Sequence, residues 1–297
     1  MSTISNFLLF TLYLLGYINL FTAIPLNEYP LIMTHDAATG DISRSHIVSE
    51  WAQTQNIGLY GQLDCGARSF DYRPYYFNGT LYAHHGGVKI NKPMKEAVTE
   101  VIEWCNIHTS ELVVFYVNSC DGDDGCREAA IDLLVSLGIY TITDCSELTG
   151  LSVEDAISLS TLSGGGSLLG LYDCVSEQYD STVNCYGKGY ACYESWDRES
   201  TDIPWDKMQS YLIGATKEVP TTDGRLWMAQ AHWQSTAESI AIGTLHNSSL
   251  LLDESRSNMN GWMAEAITKR TFQHLNIVEV DNVCDNGIAI YNAIKAL

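Results

Sequence analysis

Short runs of apolar residues alternate with longer segments of helical periodicity along most of the chain. Each run has the length of a buried strand and is followed by polar or turn-forming residues. This pattern predicts six strands, at Leu31–Met33, Ala67–Tyr72, Leu112–Val117, Ser167–Tyr172, Leu226–Ala229 and Ile277–Val280.

The helical periodicity is clearest over Met94–Ile107, with Pro93 near its start and apolar residues at Ala97, Val98, Val101, Ile102 and Cys105. The segments Glu128–Leu137 and Asn260–Arg270 have a similar pattern. Strands that alternate with helices favour a parallel sheet. At this chain length we expect an α/β fold, a (β/α)8 TIM-type barrel that could be distorted or incomplete.

No proline- or serine-rich linker divides the 297 residues, so residues 24–297 are expected to form a single barrel domain. The glycine triplet at residues 164–166 is predicted to be a loop before a strand. It is not a phosphate-binding P-loop, because no Gly-Lys-Ser/Thr follows it.

The chain begins with an apolar run, Phe7–Phe21, followed by the small residues Thr22 and Ala23. This arrangement is typical of a secretory signal peptide over residues 1–23. The alternative is an uncleaved anchor, but about fifteen apolar residues are short for a bilayer span, which needs roughly twenty. The sequence therefore favours cleavage and secretion.

The cysteine content also favours export. Nine cysteines are many for a reducing compartment, and glycosylation sequons occur at Asn78 and Asn247. The close pairs Cys120/Cys126 and Cys185/Cys192 are the simplest candidates for disulfides, and one cysteine must remain unpaired. No cysteine or histidine cluster has the spacing of a zinc site.

The net charge of −20 argues against a nucleic-acid partner, because such binding depends on lysine and arginine. It also disfavours strongly anionic membranes. A substrate that carries phosphate would need a local positive site within this acidic protein.

Reactive side chains occur in three segments at the ends of predicted strands. They are His35 and Asp36 in the first, Asp71 and Arg73 in the second, and His84 and His85 in the third. In a barrel, strand ends of one polarity meet at one face, where catalytic residues gather. Two of these histidines, with the two carboxylates and the arginine, form a set that few chemistries require.

The order of these segments resembles the X-domain of phosphatidylinositol-specific phospholipase C (PI-PLC). In that family a strand ending in T-H-D/N, a Q-L-d-x-G-x-R-x-x-D-x-R block and an H-G pair follow one another. The resemblance extends over Tyr29–Val117 and returns at Asn276–Asp281, which is similar to the family's N-I-v-x-x-D strand.

The resemblance implies that His35 is the general base and that His85, before Gly86, is the general acid. It also implies supporting carboxylates: Asp281 to hold the tautomer of His35, Asp71 to assist near His85, and Asp36 to orient or pair with the neighbouring cation. In the family reaction a substrate hydroxyl attacks the adjacent phosphate and gives a cyclic phosphodiester, which water can reopen.

The residue at position 73 indicates whether the resemblance is to the metal-dependent or the metal-independent members of the family. Metal-dependent members of the family have an acidic residue there and asparagine after the first histidine, whereas this chain has Arg73 and Asp36, as in the metal-independent bacterial type. We therefore expect no metal and no cofactor.

The acidic segment Cys120–Cys126 has a spacing similar to the start of an EF-hand loop. It lacks the later glycine and glutamate, so it is interpreted as an acidic turn.

The substrate pocket is less defined. Candidate wall residues are Tyr172, Trp227, Gln230, His232 and Trp233. An aromatic strand lining the core is an equally good interpretation of these residues. The segment Cys174–Pro204 is predicted to be a long, disulfide-pinned loop that contributes to specificity.

Three functions remain open at this stage. The first is a cyclising phosphodiesterase that acts on a phosphoinositol lipid. The second is a phosphodiesterase with another substrate, such as a glycerophosphodiester or a sphingolipid. The third is a secreted binding protein on this scaffold. The expected partner is a phospholipid or another small phosphodiester. The protein is expected to be a monomer that contacts a membrane surface transiently.

Overall fold

The computed structural model describes residues 23–43, 47–178, 205–218, 223–233 and 237–297. The predicted signal peptide, except Ala23, lies outside the described residues. So do the Cys185/Cys192 pair and most of the predicted Cys174–Pro204 loop.

Eight parallel strands form the main sheet, in the order β10-β11-β12-β1-β2-β6-β9-β8. Their bounds are β1 Leu31–Thr34, β2 Ser69–Tyr72, β6 Leu112–Val117, β8 Tyr140–Ile142, β9 Ser167–Tyr172, β10 Val175–Gln178, β11 Leu226–Ala231 and β12 Ile277–Val280. Among the described residues no pairing joins the end strands β8 and β10. The predicted α/β barrel and all six predicted strands are therefore confirmed, with the barrel in an incomplete form.

Ten α-helices accompany the strands within the described residues. They are α1 Ile47–Ala52, α2 Leu59–Asp64, α3 Met94–Ile107, α4 Cys126–Ser136, α5 Val153–Leu159, α6 Trp205–Ala215, α7 Ala237–Leu245, α8 Leu250–Ser257, α9 Met259–Thr268 and α10 Gly287–Lys295. No helix in this part of the chain is long and apolar enough to cross a membrane.

Alternate residues of each barrel strand pack on opposite sides of the sheet. Leu31 and Met33 of β1 join a cluster that collects residues from β6, β9, β11 and β12, so these side chains fill the inside of the sheet. Ile32 packs instead with residues of the surrounding helices. The side chain that follows Met33 on the inner side is that of His35, which places it at the carboxyl end of the barrel interior.

A smaller sheet carries the third reactive segment. Its order is β5-β4-β3-β7, with bounds β3 Pro74–Phe77, β4 Thr80–His85, β5 Val88–Ile90 and β7 Asp121–Gly122. The prediction that His84 and His85 follow a barrel strand is wrong. Asn78 and Gly79, both with positive φ, turn the chain back into a hairpin directly after β2 and β3.

Three disulfides brace the described structure. The predicted Cys120–Cys126 bridge is present and closes the acidic turn. Cys65–Cys284 joins the end of α2 to the loop after β12, and Cys145–Cys174 ties the loop after β8 to the end of β9. Cys105 is a buried free thiol, and burial raises its pKa to about 12.

Candidate active site

His35 stands where β1 ends, and the backbone there is held on two sides. Its N–H donates to the Val280 carbonyl, and its own carbonyl accepts from the Thr54 hydroxyl at 2.7 Å and the Gln55 amide at 3.2 Å. The ring is almost completely buried. These contacts fix the orientation of the imidazole before any substrate arrives.

Asp281 reaches His35 because β1 and β12 are neighbours in parallel register. Thr34 lies opposite Val280, so the next residue on each strand leaves the sheet at the same level. The Nδ1 atom of His35 is 2.8 Å from Oδ1 of Asp281. The structure thus brings together the pair that the sequence resemblance implied.

Asp36 lies between the two predicted catalytic histidines. Its Oδ2 atom is 3.2 Å from Nε2 of His35 and 3.3 Å from Nε2 of His85. The residue adopts a left-handed conformation with φ 44°, which turns its carboxylate back into the barrel mouth. One buried carboxylate oxygen therefore faces both imidazoles, whose ring centroids are 6.3 Å apart.

The last residue of α1, Ala52, contacts the nitrogen of the His85 ring that faces away from Asp36. The Nδ1 atom of that ring is 2.6 Å from the Ala52 carbonyl oxygen, which can only accept, so Nδ1 carries a proton. The other nitrogen faces the Asp36 carboxylate. A ring with acceptors at both nitrogens suits the charged, doubly protonated form that a general acid requires.

Arg73 completes the group with two carboxylate contacts. Its Nε is 3.0 Å from Oδ1 of Asp36, and its Nη2 is 2.8 Å from Oδ2 of Asp71. Burial alone would raise the pKa of Asp71, but the charges of Arg73 and His35, together with the hydrogen bonds from Arg73 and the Asp36 N–H, outweigh it and lower that pKa. The pKa of Arg73 is raised by both carboxylates despite its burial.

Asp71 does not reach His85, although the resemblance placed it there. Asp71 contacts Arg73 and the backbone N–H of Asp36, at 3.2 Å, and the carboxylate that reaches His85 is that of Asp36. The reason is local: the guanidinium two residues along the chain folds back onto Asp71 and holds it.

His232 stacks on His35, a contact that the sequence did not indicate. The ring centroids are 4.1 Å apart at an angle of 12°, and Nε2 of His232 is 3.0 Å from Oε2 of Glu279. Burial lowers the pKa of His232. Glu279 was not identified as a site residue, although it lies two positions before Asp281 and so faces the same side of β12.

Comparisons with known proteins fit this geometry. No family model matches the chain. It is 32% identical over 79 residues to PI-PLC X domain-containing protein 1 of Danio rerio, and 32% identical over 88 residues to a PI-PLC X domain-containing protein of Dictyostelium discoideum. These matches cover 25% and 24% of this chain, and only 25% and 15% of the two relatives.

The fold comparison covers nearly the whole chain. The PI-PLC of Listeria monocytogenes superposes with a TM-score of 0.61 at 15% identity, over 94% of this chain and 96% of that one. A variant of the Staphylococcus aureus PI-PLC gives 0.59 at 15% identity, over 91% and 94%. The described structure thus has the fold of the bacterial PI-PLCs, and a quarter of the chain is similar in sequence to PI-PLC X domain-containing proteins.

The remaining predicted pocket residues divide into two groups. Gln230 shares the inner face of β11 with His232 and is buried. Trp227 is fully buried at the opposite end of β11, where its Nε1–H donates to the Asn27 carbonyl. Tyr172 packs outside the barrel, under the guanidinium of Arg127. The structure therefore does not bring Trp227 or Tyr172 to the histidines.

Trp233 and His84 also point elsewhere. Trp233 follows His232 and is anchored by its backbone N–H to Oε1 of Glu254. The ring of His84 lies between the carbonyls of Gly86 and Ser119, on the exposed side of the hairpin. Of the two adjacent histidines, only His85 faces Asp36.

Two groups of residues in the described structure have the ligand types of a metal site: His35 with Asp36 and Asp71, and His35 with His232 and Asp281. The first fits a cation poorly, because the Arg73 guanidinium already contacts both of its carboxylates. In the second, His35 and Asp281 are already joined at Nδ1. Neither group of side chains therefore offers a divalent ion ligands that are free of existing contacts, and Arg73 already supplies positive charge at the first.

The groups around His35 predict how the pH dependence of activity should change when Asp281 is replaced. Burial and the neighbouring His232 lower its pKa, but Asp281 and Asp36 outweigh them, so the pKa is raised above its ordinary value. A base must be neutral, so activity should rise as the pH increases through this raised pKa. Asp281→Asn removes the main raising charge, and the acidic limb of kcat/KM should move to lower pH while the maximal rate falls.

The measurement is a pH–rate profile of the native protein, Asp281→Asn and the control Asp285→Asn. The control removes a carboxylate from the same loop without touching His35. An acidic limb that stays in place in Asp281→Asn would show that the limb does not report His35.

Proposed function

We propose that this chain is a phosphodiesterase of the PI-PLC type, with His35 as general base and His85 as general acid. The observation that carries the proposal is the convergence of the two Nε2 atoms, at 3.2 and 3.3 Å, on one oxygen of Asp36. Two imidazoles facing one point are what a reaction needs when it removes one proton and supplies another.

The steps follow from this arrangement. Neutral His35 takes the proton of a substrate hydroxyl next to the phosphate, and that oxygen attacks phosphorus. The bond to the departing alcohol oxygen breaks as charged His85 gives that oxygen its proton. The product is a cyclic phosphodiester, and water can open it with the two histidines in exchanged roles.

Asp36 supports this exchange of roles. The histidine pair carries one positive charge in total, which rests on His85 before the first step and on His35 after it. A buried carboxylate oxygen almost equally distant from both rings stabilises the charge on either. The substrate hydroxyl and the leaving oxygen would compete with Asp36 for the two Nε2 atoms.

Arg73 is the candidate for binding the phosphate. It supplies a fixed positive charge beside the histidines in a protein whose net charge is −20. A guanidinium oriented by two carboxylates can contact phosphate oxygens without reorganising as charge develops. It would therefore take the role that calcium has in metal-dependent members of the family.

A substrate panel tests the proposal against the two alternatives. Phosphatidylinositol, a glycerophosphodiester and sphingomyelin would each be incubated with the protein and followed by phosphorus NMR. Turnover of phosphatidylinositol with a cyclic product supports the proposal. Turnover of only the other diesters favours a different substrate, and the absence of turnover on every diester favours a binding protein.

We also propose that the chain is exported as one barrel, residues 24–297, after removal of residues 1–23. The three disulfides and the exposed position of both sequon asparagines support this. Protein recovered from a secreting host should begin near Ile24, carry glycan at Asn78 or Asn247, and melt at lower temperature when reduced. Unglycosylated cytosolic protein with all thiols free would contradict the proposal.

A further inference from the structure

A polar groove lies between α1 and α8, and none of the candidate active-site residues is among the described residues that line it. The α1–α8 groove has a volume of about 650 Å³. One of its lining residues is Asn247, in the turn from α7 to α8, which begins the glycosylation sequon Asn247-Ser248-Ser249. The groove thus includes a residue that can carry a covalently attached sugar.

Asn247 lies where an attached glycan can extend along the groove. The residue is exposed and has φ 53°, a conformation that asparagine tolerates. Ser249 then starts α8, and its hydroxyl accepts from the Leu252 N–H at 3.3 Å. Because α8 forms one side of the groove, a sugar bonded to Asn247 stays beside that wall. Such a tether raises the effective concentration of the sugar, so individually weak contacts are enough to hold it.

The groove wall contains a buried amide with one unpaired polar atom. Asn282 is only 5% exposed, and its side-chain oxygen makes no hydrogen bond to any described residue. Its amide N–H donates to the Ser255 hydroxyl at 3.0 Å. Because that hydroxyl can donate or accept, one polar atom of the amide is left for a ligand in either orientation of the amide. Buried polar atoms are rarely left unpaired without a reason.

The chemistry of the wall suits an uncharged sugar that carries an amide. The described lining residues include no lysine or arginine, so an anion would find no counter-charge there. Hydroxyl and amide side chains outnumber the single carboxylate, that of Glu50, while Leu251 and Leu252 offer apolar surface to the face of a sugar ring. The first sugars of an N-linked glycan are uncharged N-acetylhexosamines, which present hydroxyls, an apolar ring face and an acetamide group.

The groove also touches the backbone that supports both histidines. Gln53 follows Ala52, whose carbonyl accepts from His85. Asn282 follows Asp281, which orients the other histidine. A sugar held between α1, α8 and Asn282 would therefore brace the wall on which the candidate site is built.

We propose that the α1–α8 groove is the seat of the first sugars of a glycan attached to Asn247, with the Asn282 amide as their main hydrogen-bonding partner. The proposal rests on the proposed export of the chain, which supplies the glycan, and not on the phosphodiesterase activity. It gives the sugar a structural role, as a brace between α1 and α8. The second sequon provides the contrast, because Asn78 lies at the exposed turn of the hairpin and the space around the adjacent Gly79 is open.

The first experiment measures how fast an endoglycosidase trims the Asn247 glycan on the folded protein. The protein would be secreted from a host that adds short oligomannose glycans, and each sequon would be followed by peptide mass spectrometry. In Asn282→Gly, trimming at Asn247 should be about threefold to tenfold faster than in the native protein, the factor that one net hydrogen bond produces. Glycine tolerates the φ of 45° at this position. Any glycan at Asn78 should be trimmed at an unchanged rate.

Ser255→Ala gives the same comparison if Asn282→Gly does not fold. This substitution removes only the hydroxyl partner of the Asn282 amide, from an exposed position of α8. The amide is then no longer oriented by the protein, and trimming at Asn247 should again be faster.

The second experiment compares the thermal unfolding of Asn247→Gln and Asn78→Gln. Both positions are exposed asparagines with positive φ, 53° and 49°, so the substitution has a similar backbone cost at each. Made with glycans, Asn247→Gln should unfold about 2–4 °C below Asn78→Gln, the shift expected from the loss of one or two hydrogen bonds. Made in a host that exports proteins without glycosylating them, the two variants should unfold at the same temperature.

The proposal is overturned if the secreted protein carries no glycan at Asn247, or if Asn282→Gly and Ser255→Ala leave the trimming rate unchanged. It is also overturned if the two glutamine variants unfold at the same temperature with glycans present, or if their difference persists without glycans. Failure of the phosphodiesterase proposal is distinguishable, because the diesters would then not turn over while the trimming and unfolding differences remained.

Discussion

Replacing His35 or His85 by alanine is expected to lower kcat by about a hundredfold to ten-thousandfold for each residue, the usual contribution of a general base or general acid. Each ring is held by one partner at Nδ1, Asp281 for His35 and the Ala52 carbonyl for His85, and presents Nε2 to Asp36. Neither ring can replace the other, because their nitrogens approach that point from different sides.

The adjacent histidine provides the control. His84→Ala removes an identical side chain from the same strand, but its ring contacts the carbonyls of Gly86 and Ser119 and not the catalytic group. It should retain most of the native rate. If His84→Ala is inactive and His85→Ala is active, the assignment of the general acid is shifted by one residue and is wrong.

Replacing Arg73 by alanine is expected to remove about 3–4 kcal/mol of transition-state stabilisation, a decrease of roughly a hundredfold to a thousandfold in rate. Lysine should restore only part of this, because a point charge cannot reproduce a planar, two-pronged contact. The arginine also neutralises Asp36 and Asp71, so thermal unfolding of the variants must be measured alongside the rate.

Two controls separate the local effect of Arg73 from other causes. Arg127→Ala removes the same charge from an exposed position over Tyr172, and it should leave the rate nearly unchanged. EDTA should also leave the native rate unchanged if the guanidinium stands in place of a metal. Loss of activity in EDTA with recovery in calcium would contradict this role and would make Asp36 and Asp71 candidate ligands.

The residues of the candidate site that could be predicted from sequence lie in short motifs next to strands. His35, Asp36, Asp71 and Arg73 follow or end apolar runs, and parallel strands deliver such positions to one edge of a sheet. Asp281 could be added because its strand has the family's pattern. The six barrel strands were identifiable for the same reason, since their apolar runs are continuous.

Contacts between distant segments could not be predicted in this way. The stacking of His232 on His35 depends on which strands become neighbours, and the Cys65–Cys284 bridge joins residues 219 positions apart. The hairpin that carries His85 has a local sequence signal, an Asn-Gly turn between two aromatic-rich segments. The search for continuous apolar runs does not detect this signal.

The wall residues show the limit of composition as a guide. Aromatic side chains often line pockets, which favours Trp227 and Tyr172 as wall residues, but the position of a residue along its strand and the face on which it lies decide where its side chain goes. Trp227 is the second residue of β11 and Tyr172 faces outward, whereas Gln230 lies near the carboxyl end of β11 on its inner face and His232 directly follows the strand. Periodicity along a strand would have separated these two pairs once the inner face was known.

The most direct test of the two-histidine mechanism is to cleave phosphatidylinositol in water enriched in oxygen-18 and to follow the products by phosphorus NMR. Attack by a substrate hydroxyl gives a cyclic phosphate without the heavy isotope, and any monoester formed later carries one such atom. Both products should disappear in His35→Ala and His85→Ala and persist in His84→Ala. A labelled monoester that forms from the start, without a cyclic phosphate at any time, would contradict the proposed mechanism.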